Sequence, residues 1–211
     1  VGEMVEEIKP LKDFDYIFMR KDPPVNVDYM NALHILSQAE FEGANILNRP
    51  SALMKFNEKI FALQFSDWMP DTSVICKEDD FKLFKEKYSD VILKPLNGMG
   101  GDSIYKFDKT SEDHLKIFKE LTNNYKTMVM VQNFLPEIYD GDYRILIING
   151  EPFPIGLARI PQKGSFKGNL AAGGRGEARE LSADQIQASK EIGKILIQEG
   201  ILFAGIDMIG S

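Results

Sequence analysis

The part of this sequence that most constrains the fold is a glycine-rich loop between two short apolar segments, within residues 91–107. Three of the four positions 98–101 are glycine, and Lys94 lies shortly before them. Glycine lets the backbone approach a ligand closely and adopt positive φ, so the N–H groups of such a loop can converge on an anion. The flanking apolar segments have the length and composition of strands. The sequence therefore predicts a strand, a glycine-rich loop and a second strand.

Two interpretations of this loop are open from the residues alone. A glycine-rich loop can serve only to turn the chain of a structural hairpin, or it can cradle a phosphate group. The order of residues excludes two familiar phosphate loops, because a Walker loop has its lysine after the last glycine and a dinucleotide-binding loop opens a helix. Among nucleotide sites, the pattern is typical of a loop that folds over the nucleotide from a hairpin.

Composition limits the class of protein. The chain has 211 residues, of which 44% are hydrophobic and 27% charged, as in a globular protein of one or two domains. The formal charge of −7 argues against general nucleic-acid binding, and no apolar run reaches the ~20 residues of a membrane span. The single cysteine, Cys76, cannot form an internal disulfide, which fits a reducing compartment. We therefore expect a cytoplasmic protein without nucleic-acid or membrane partners.

Because the chain lacks an initiator methionine and stops just past an apolar strand, we also expect it to be part of a longer polypeptide.

The periodicity of apolar residues predicts alternating helices and strands. Near the N-terminus, a strand over 15–19, a helix over 29–42 and a strand over 45–47 suggest a parallel α/β unit. The later predicted elements are helices at 52–64, 81–88, 110–121 (capped by Thr110 or Ser111) and 182–199, and strands at 129–132, 144–148, 153–160 and 201–209. Asn149-Gly150 predicts a type I′ turn, and Ser182 and Gln185 form a capping box before the last helix.

Positive charge concentrates in one region of this acidic chain. Between residues 142 and 179 there are six basic residues and three acidic ones. Arginines on strands beside a glycine-rich segment suit a polyphosphate, because each guanidinium can hold two oxygens. Residues 164–176 contain five glycines and no apolar periodicity, which predicts a loop. A functional lid and simple disorder are both compatible with such a loop.

Several motifs together resemble the prokaryotic glutathione synthetase family of the ATP-grasp superfamily. They are Met19–Pro24 (MRKDPP), Lys94–Ser103 (KPLNGMGGDS), Ala158–Gln162 (ARIPQ) and Gly168–Gly176 (GNLAAGGRG). The resemblance covers essentially the whole chain with unbroken spacing. It implies an α/β (α+β) ATP-grasp fold in three parts: the end of an N-terminal α/β substrate domain (1–56), a small subdomain with the glycine-rich loop (57–134) and a larger subdomain with the loop 164–176 (135–211).

The resemblance also implies an activity and a set of site residues. The implied reaction joins γ-glutamylcysteine and glycine through an acyl phosphate, giving glutathione, ADP and phosphate. By similarity, the nucleotide contacts are Lys59, Lys94, Gly98, Met99, Gly100, Gly101, Gln132, Asn133, Phe134 and Leu135, of which the last four form the adenine hinge. The implied catalytic residues are Asp142, Arg144, Arg159, Lys167 and Arg175, and Asp207 is the expected ligand of Mg²⁺ or Mn²⁺.

Two other functions are compatible with the same residues. Another ATP-grasp amino-acid or peptide ligase would share the phosphate contacts and differ around residues 20–24 and 164–176. A nucleotide-binding module without catalysis would lack the further metal ligands that the family carries beyond Asp207. The family resemblance also suggests a homo-oligomer.

Overall fold

Two antiparallel β-sheets and a separate pair of parallel strands form the framework of the protein. The computed structural model describes residues 8–21, 24–97, 103–170 and 173–210. The helices are α1 (Val27–Phe41), α2 (Pro50–Lys55), α3 (Glu58–Ala62), α4 (Glu78–Lys87), α5 (His114–Leu121) and α6 (Ala183–Gln198). The strands are β1 (Ile17–Phe18), β2 (Ile46–Leu47), β3 (Thr72–Ile75), β4 (Val91–Pro95), β5 (Tyr105–Phe107), β6 (Val129–Asn133), β7 (Asp142–Ile148), β8 (Glu151–Pro152), β9 (Ile155–Ile160), β10 (Arg175–Glu180) and β11 (Phe203–Ile209). No helix in these described ranges is both long and apolar enough to cross a membrane.

The N-terminal unit is the predicted strand, helix and parallel strand. β1 and β2 pair in parallel, with Ile17 opposite Ile46, and α1 connects them. The side chain of Asn26 caps α1 by accepting a hydrogen bond from the Tyr29 N–H at 3.0 Å. Gly43, at φ +98°, follows the helix in a conformation that favours glycine. The prediction of a parallel α/β unit is therefore confirmed.

The single helix predicted over residues 52–64 is wrong. The chain leaves the helix at Phe56, which is extended, and begins a new one after Asn57. The Asn57 side-chain oxygen accepts hydrogen bonds from the N–H groups of Lys59 at 3.0 Å and Ile60 at 3.1 Å. An asparagine side chain that bonds to the backbone in this way favours a helix start over continuation, so the segment splits into α2 and α3.

The start predicted for α5 is also wrong. Neither Thr110 nor Ser111 caps the helix, because both bond to the Asp108 carboxylate, at 2.8 and 3.1 Å. Asp108 Oδ1 also accepts the Thr110 N–H at 2.8 Å, and this local turn competes with the helical conformation. The helix consequently begins only at His114.

The small sheet has the strand order β3-β6-β4-β5 and is antiparallel throughout. One of its faces packs against α4 and α5, where the rings of Phe81 and Phe118 stack at a centroid distance of 4.5 Å. Alternate residues of β4, among them Val91 and Leu93, are fully buried in this core. Lys94 therefore lies on the opposite face of the sheet, because successive side chains of a strand alternate. β4 and β5 form the predicted hairpin, and the loop residues 98–102 between them lie outside the described residues.

The large sheet has the order β10-β9-β7-β11, with β8 paired to the end of β7. One face packs on α6, with Ile147 and Leu196 in a common apolar cluster. The predicted capping box of α6 is present, and Asn149 and Gly150 have the positive φ values of 51° and 82° that a type I′ turn requires. The other face is open and carries charged side chains.

The loop predicted over residues 164–176 is shorter than expected. Arg175 and Gly176 belong to β10, where they pair with Ile160 and Arg159 of β9. The pairing of these backbones satisfies hydrogen bonds that a free loop would leave to water. Up to residue 170 and again from 173 to 174, the described loop residues lie outside any strand.

Candidate functional site

Four charged residues meet on the open face of the large sheet. Asp142 and Arg144 lie on β7, Arg159 on β9 and Asp207 on β11. The strand register places Asp142 directly opposite Arg159, and Arg144 directly opposite Asp207. Directly opposed residues of antiparallel strands share a face, and residues two apart on one strand also do. The fold therefore brings together four residues that are separated by up to 65 positions in the sequence.

These four residues form a continuous ion-pair network. Arg144 holds both carboxylate oxygens of Asp207, through a contact from Nε to Oδ1 and a 2.9 Å bond from Nη2 to Oδ2. Arg159 Nη2 lies 2.8 Å from Asp207 Oδ1 and 2.5 Å from Asp142 Oδ2. The side chains of Arg159 and Asp142 are only 7% and 14% exposed, whereas those of Arg144 and Asp207 are 43% and 44% exposed. The network thus has a buried half and a half that faces solvent.

Burial changes the acidity of the inner carboxylate. The pKa of Asp142 is raised to about 6, chiefly because burial disfavours its charge and secondarily because the Asp207 carboxylate repels it, while Arg159 acts in the opposite direction. The hydrogen bond with Asp207 raises the pKa of Arg144 and keeps that guanidinium charged. Arg159 Nε is buried and has no hydrogen-bond partner among the described residues. Since a buried unsatisfied donor is costly, this atom is suited to an acceptor brought by a ligand.

Two lysines of the small subdomain add positive charge opposite this network. The pKa of Lys94 is lowered to about 8, first by burial and then by the charge of Lys59, while Asp142 and Asp207 act in the opposite direction. The large-sheet carboxylates therefore act on Lys94 across the space between the two sheets. The Lys94 backbone pairs with β6, but its ammonium group has no hydrogen bond or ion pair within the described ranges of the chain. Because the charge of Lys59 acts on Lys94, the pair of ammonium groups favours an anion bound beside them.

Asn57 connects the helix that carries Lys59 to the start of the glycine-rich loop. Its Nδ2 group lies 3.4 Å from the carbonyl oxygen of Leu96 and 3.3 Å from Oδ1 of Asn97. Lys59 Nζ donates to the same Leu96 carbonyl at 3.2 Å and pairs with Glu58 at 2.9 Å. Residues Gly98, Met99, Gly100 and Gly101, predicted as phosphate contacts, lie outside the described residues. Asn57 is not among the predicted site residues, although an asparagine directly before an acidic first turn is a recognisable helix-start signal.

The predicted adenine hinge runs from Gln132 to Leu135. The buried Gln132 side chain donates to Thr72 Oγ1 at 2.8 Å, so it is committed to the sheet. The N–H groups of Asn133 and Phe134 donate to the carbonyls of Asp71 and Asp90, both at 3.0 Å. The Leu135 N–H has no acceptor among the described residues. Among the N–H groups of Asn133, Phe134 and Leu135, that of Leu135 is therefore the one best placed to bind a ligand.

The loop after β9 approaches the charged network at Gly168. A Cβ atom added to Gly168 would lie 2.6 Å from the carbonyl oxygen of Arg159 and 3.2 Å from Cβ of Asp142, so only glycine fits there. Lys167 precedes this contact and is half-buried, with its N–H bonded to Ser165 Oγ at 3.1 Å. Gly168 is not among the predicted site residues, because one glycine among the five of this loop carries no signal of its own.

Arg175 does not join the charged network in this structure. It pairs with Glu177 at 2.6 Å, and its side chain is 74% exposed. Gly176, not Arg175, lies opposite Arg159, so the Arg175 side chain lies on the other face of the sheet. The prediction placed Arg175 in a loop over the reacting centre, and the strand β10 places it elsewhere.

Asp207 is the exposed carboxylate of the charged network and the candidate ligand of a metal ion. In the described part of the chain no group of three or more His, Cys, Asp or Glu residues could hold a metal. Asp207 is the most accessible acidic residue of the network, and carboxylate oxygen is the ligand type that Mg²⁺ prefers. A single carboxylate fits the mode in which Mg²⁺ takes few protein ligands and completes its shell with phosphate oxygens and water.

Comparison with protein-family models gives two matches that together cover nearly the whole chain. Residues 58–211 match the prokaryotic glutathione synthetase ATP-grasp domain. Residues 3–54 match the prokaryotic glutathione synthetase N-terminal domain.

Individual relatives and solved structures agree with these matches. The chain is 47% identical over 206 residues to a glutathione synthetase of Escherichia coli O157:H7 and 44% identical over 205 residues to one of Vibrio parahaemolyticus, each alignment covering 97% of this chain. The chain spans 65% of the length of these relatives. Among solved structures, D-cycloserine synthetase superposes with a TM-score of 0.68 at 12% identity, covering 96% of this chain and 73% of that one. At this sequence identity the superposition shows a shared fold and nothing about function.

Proposed function

Because this chain belongs to the prokaryotic glutathione synthetase family and has the ATP-grasp fold, we propose that it forms the ATP-binding and catalytic part of a glutathione synthase. The observation that carries the proposal is the network of Arg144, Asp207, Arg159 and Asp142 on one sheet face, opposed by Lys94. Such a frame can hold a polyphosphate beside a carboxylate. The proposed reaction is the ATP-dependent ligation of γ-glutamylcysteine and glycine.

In this reaction a carboxylate oxygen of γ-glutamylcysteine attacks the γ-phosphorus of ATP, and the bond from that phosphorus to the bridging oxygen of ADP breaks. The glycine amine then attacks the carbonyl carbon of the acyl phosphate, loses a proton and releases phosphate. Phosphoryl transfer is catalysed mainly by positioning and by neutralising charge, so the cations around the γ-phosphate carry most of the catalysis. An acyl phosphate must also be kept from water.

The described residues divide these tasks. We propose that Lys59 and Lys94 hold the α- and β-phosphates and that the Leu135 N–H binds adenine. Arg144 is the exposed arginine of the network, so it is placed to contact the transferred phosphoryl group. Arg159 is buried and donates to both Asp142 and Asp207, and its free Nε gives it one further donor for the substrate.

The loop that contacts the network at Gly168 is proposed to shield the reacting centre. Lys167 supplies its positive charge, since Arg175 lies on the other face of the sheet. Lysine keeps the charge that this position needs but lacks the two-pronged grip of a guanidinium. Mg²⁺ or Mn²⁺, with Asp207 as a ligand, would neutralise the phosphate oxygens.

The remaining features of the proposal rest on the family. We propose a homo-oligomeric enzyme of the cytoplasm, with γ-glutamylcysteine and glycine as its small-molecule partners. We also propose the division into parts 1–56, 57–134 and 135–211. The helix break at Phe56–Asn57 and the end of β6, the last strand of the small sheet in chain order, support these boundaries.

The proposal is tested by measuring ADP release from the full-length protein with ATP, Mg²⁺, γ-glutamylcysteine and glycine. The control is a panel of other carboxylate and amine pairs, including dipeptides and free amino acids. We expect the named pair to stimulate ADP release far above the panel. Equal stimulation by another pair would assign the protein to a different ATP-grasp ligase, and ATP binding without turnover on any pair would identify a nucleotide-binding module.

A further inference from the structure

The N-terminal unit is fastened to the start of β11 by a cluster of hydrogen bonds. Asn48 Nδ2 donates to the carbonyl of Phe203 at 2.7 Å, and Asn48 Oδ1 accepts from the N–H groups of Leu202 and Phe203, both at 2.8 Å. The Arg49 N–H donates to the carbonyl of Gly200 at 3.0 Å. Four bonds over two consecutive residues fix the end of β2 against the strand that carries Asp207.

This attachment places Arg20 beside the charged face of the large sheet. The Met19 N–H donates to the carbonyl of Leu47 at 3.3 Å, so the chain holds Arg20 next to the attachment. The Arg20 guanidinium lies over the ring of Phe203 at 5.3 Å from its centre. Phe203 is an even number of residues from Asp207 on β11, so the two side chains share a face. Arg20 therefore stands over the same open face as the network, further along the same strand.

We propose that Arg20 binds the α-carboxylate at the glutamyl end of the substrate. This inference rests on the proposed function and adds a second anionic subsite to it. Arg20 is exposed, and none of the described carboxylates pairs with it. A guanidinium suits a carboxylate because it donates two parallel hydrogen bonds, and stacking on an aromatic ring fixes its plane.

The spacing along β11 fits the length of the substrate. Phe203 and Asp207 are four residues apart, roughly 13 Å at about 3.3 Å per residue. The two carboxylate carbons of γ-glutamylcysteine are separated by about seven bonds, or roughly 8 to 9 Å when extended. The difference of roughly 4 to 5 Å leaves room for a hydrogen-bonded contact at each end. One carboxylate can thus lie at Arg144 and Asp207 while the other reaches Arg20.

The test combines an enzyme variant with a substrate analogue in the full-length protein. γ-Aminobutyryl-cysteine differs from γ-glutamylcysteine only in lacking the α-carboxylate, and with it the chirality of the α-carbon. It keeps the amino group and the cysteinyl carboxylate, so the reacting end is unchanged. We expect kcat/KM to fall roughly 10- to 100-fold on replacing γ-glutamylcysteine by this analogue, and by a similar factor in Arg20→Met with the natural substrate. The two losses should not multiply, because they remove the same contact.

Two controls separate this role from a structural one. Lys9 makes the same kind of contact, with Nζ 4.5 Å from the centre of the Phe14 ring in the same unit, and Lys9→Met should leave kcat/KM unchanged. Arg20→Lys should recover part of the loss, and the KM for ATP should stay constant in all variants. If Arg20→Met does not fold, the Arg20→Lys variant and the analogue still test the subsite.

The outcomes distinguish the subsite from the proposed function. The subsite alone would be overturned in two cases, both with an unaltered protein that ligates γ-glutamylcysteine. In the first, the losses in kcat/KM from Arg20→Met and from the analogue multiply when the two are combined. In the second, the unaltered protein shows no preference for γ-glutamylcysteine over the analogue. No ligation of γ-glutamylcysteine by the unaltered protein would overturn the proposed function and the subsite with it.

Discussion

The affinity of this protein for ATP should fall as the pH rises above about 8. The reason lies in Lys94, whose pKa is lowered to about 8 by burial and by the neighbouring charge of Lys59. A phosphate group bound to Lys94 favours the ammonium form, so ATP binds to the protonated protein. Below pH 8 the lysine is already protonated and affinity should be constant. Above pH 8 each binding event must also take up a proton, so Kd should rise about tenfold per pH unit.

The size of the effect follows from the same pKa. Binding that restored an ordinary lysine pKa of 10.5 would correspond to about 2.5 pH units, or roughly 3 kcal/mol. In the absence of ATP the sign is reversed, because the unfolded chain then holds the proton more tightly than the folded one. Lys94 should therefore make the free energy of unfolding increase between pH 8 and 10.5.

The assay measures the Kd for ATP by isothermal titration calorimetry at constant ionic strength, at a series of pH values between 7 and 10. Lys94→Arg is the matched variant, because arginine stays charged over this range and should give a nearly constant Kd. The stability effect is measured as the difference in urea unfolding between the unaltered protein and Lys94→Met. A constant Kd for the unaltered protein up to pH 9.5, or the same slope in Lys94→Arg, would refute the reasoning.

Three further substitutions test other contacts of the site. Arg144→Ala should lower kcat at least about 100-fold with modest change in ATP affinity, measured by steady-state kinetics. The control is Arg179→Ala, because Arg179 of β10 lies two residues from Glu177 and four from Arg175 on the other face of the sheet, and this variant should not lower kcat. A large loss of ATP binding at constant kcat in Arg144→Ala would contradict the assigned role. Gly168→Ala should lower kcat about tenfold or more, because its Cβ would meet the Arg159 carbonyl at 2.6 Å, and unchanged kinetics would show that the loop does not act there. Asn57→Ser keeps a helix cap but loses the bonds to the glycine-rich loop, so KM for ATP should rise several-fold with little change in Tm, and a constant KM would argue against this link.

Much of the framework could be predicted from local signals in the sequence. The type I′ turn at Asn149-Gly150, the capping box at Ser182 and the parallel unit around α1 all depend on residues close in sequence. The two wrong helix boundaries have a shared cause. At Asn57 and Asp108, a short polar side chain bonds to nearby backbone and outweighs the apolar periodicity of the segment.

The arrangement of the candidate site depended on information that periodicity does not contain. The pairing of Arg144 with Asp207 and of Asp142 with Arg159 follows from strand register, which is set across the whole sheet. The prediction named these four residues by family resemblance but could not tell which would be buried. For Arg175 the prediction was wrong, because the glycine content of residues 164–176 predicted a loop although its last two residues belong to strand β10.

The most direct test of the central claim is the transfer of an oxygen atom from substrate to phosphate. γ-Glutamylcysteine labelled with ¹⁸O in the cysteinyl carboxylate is incubated with the full-length protein, ATP, Mg²⁺ and glycine, and the products are analysed by mass spectrometry. An acyl phosphate requires one carboxylate oxygen to leave with phosphorus, so each glutathione formed should release one phosphate carrying ¹⁸O. Glutathione formed with unlabelled phosphate, or no glutathione at all, would contradict the account.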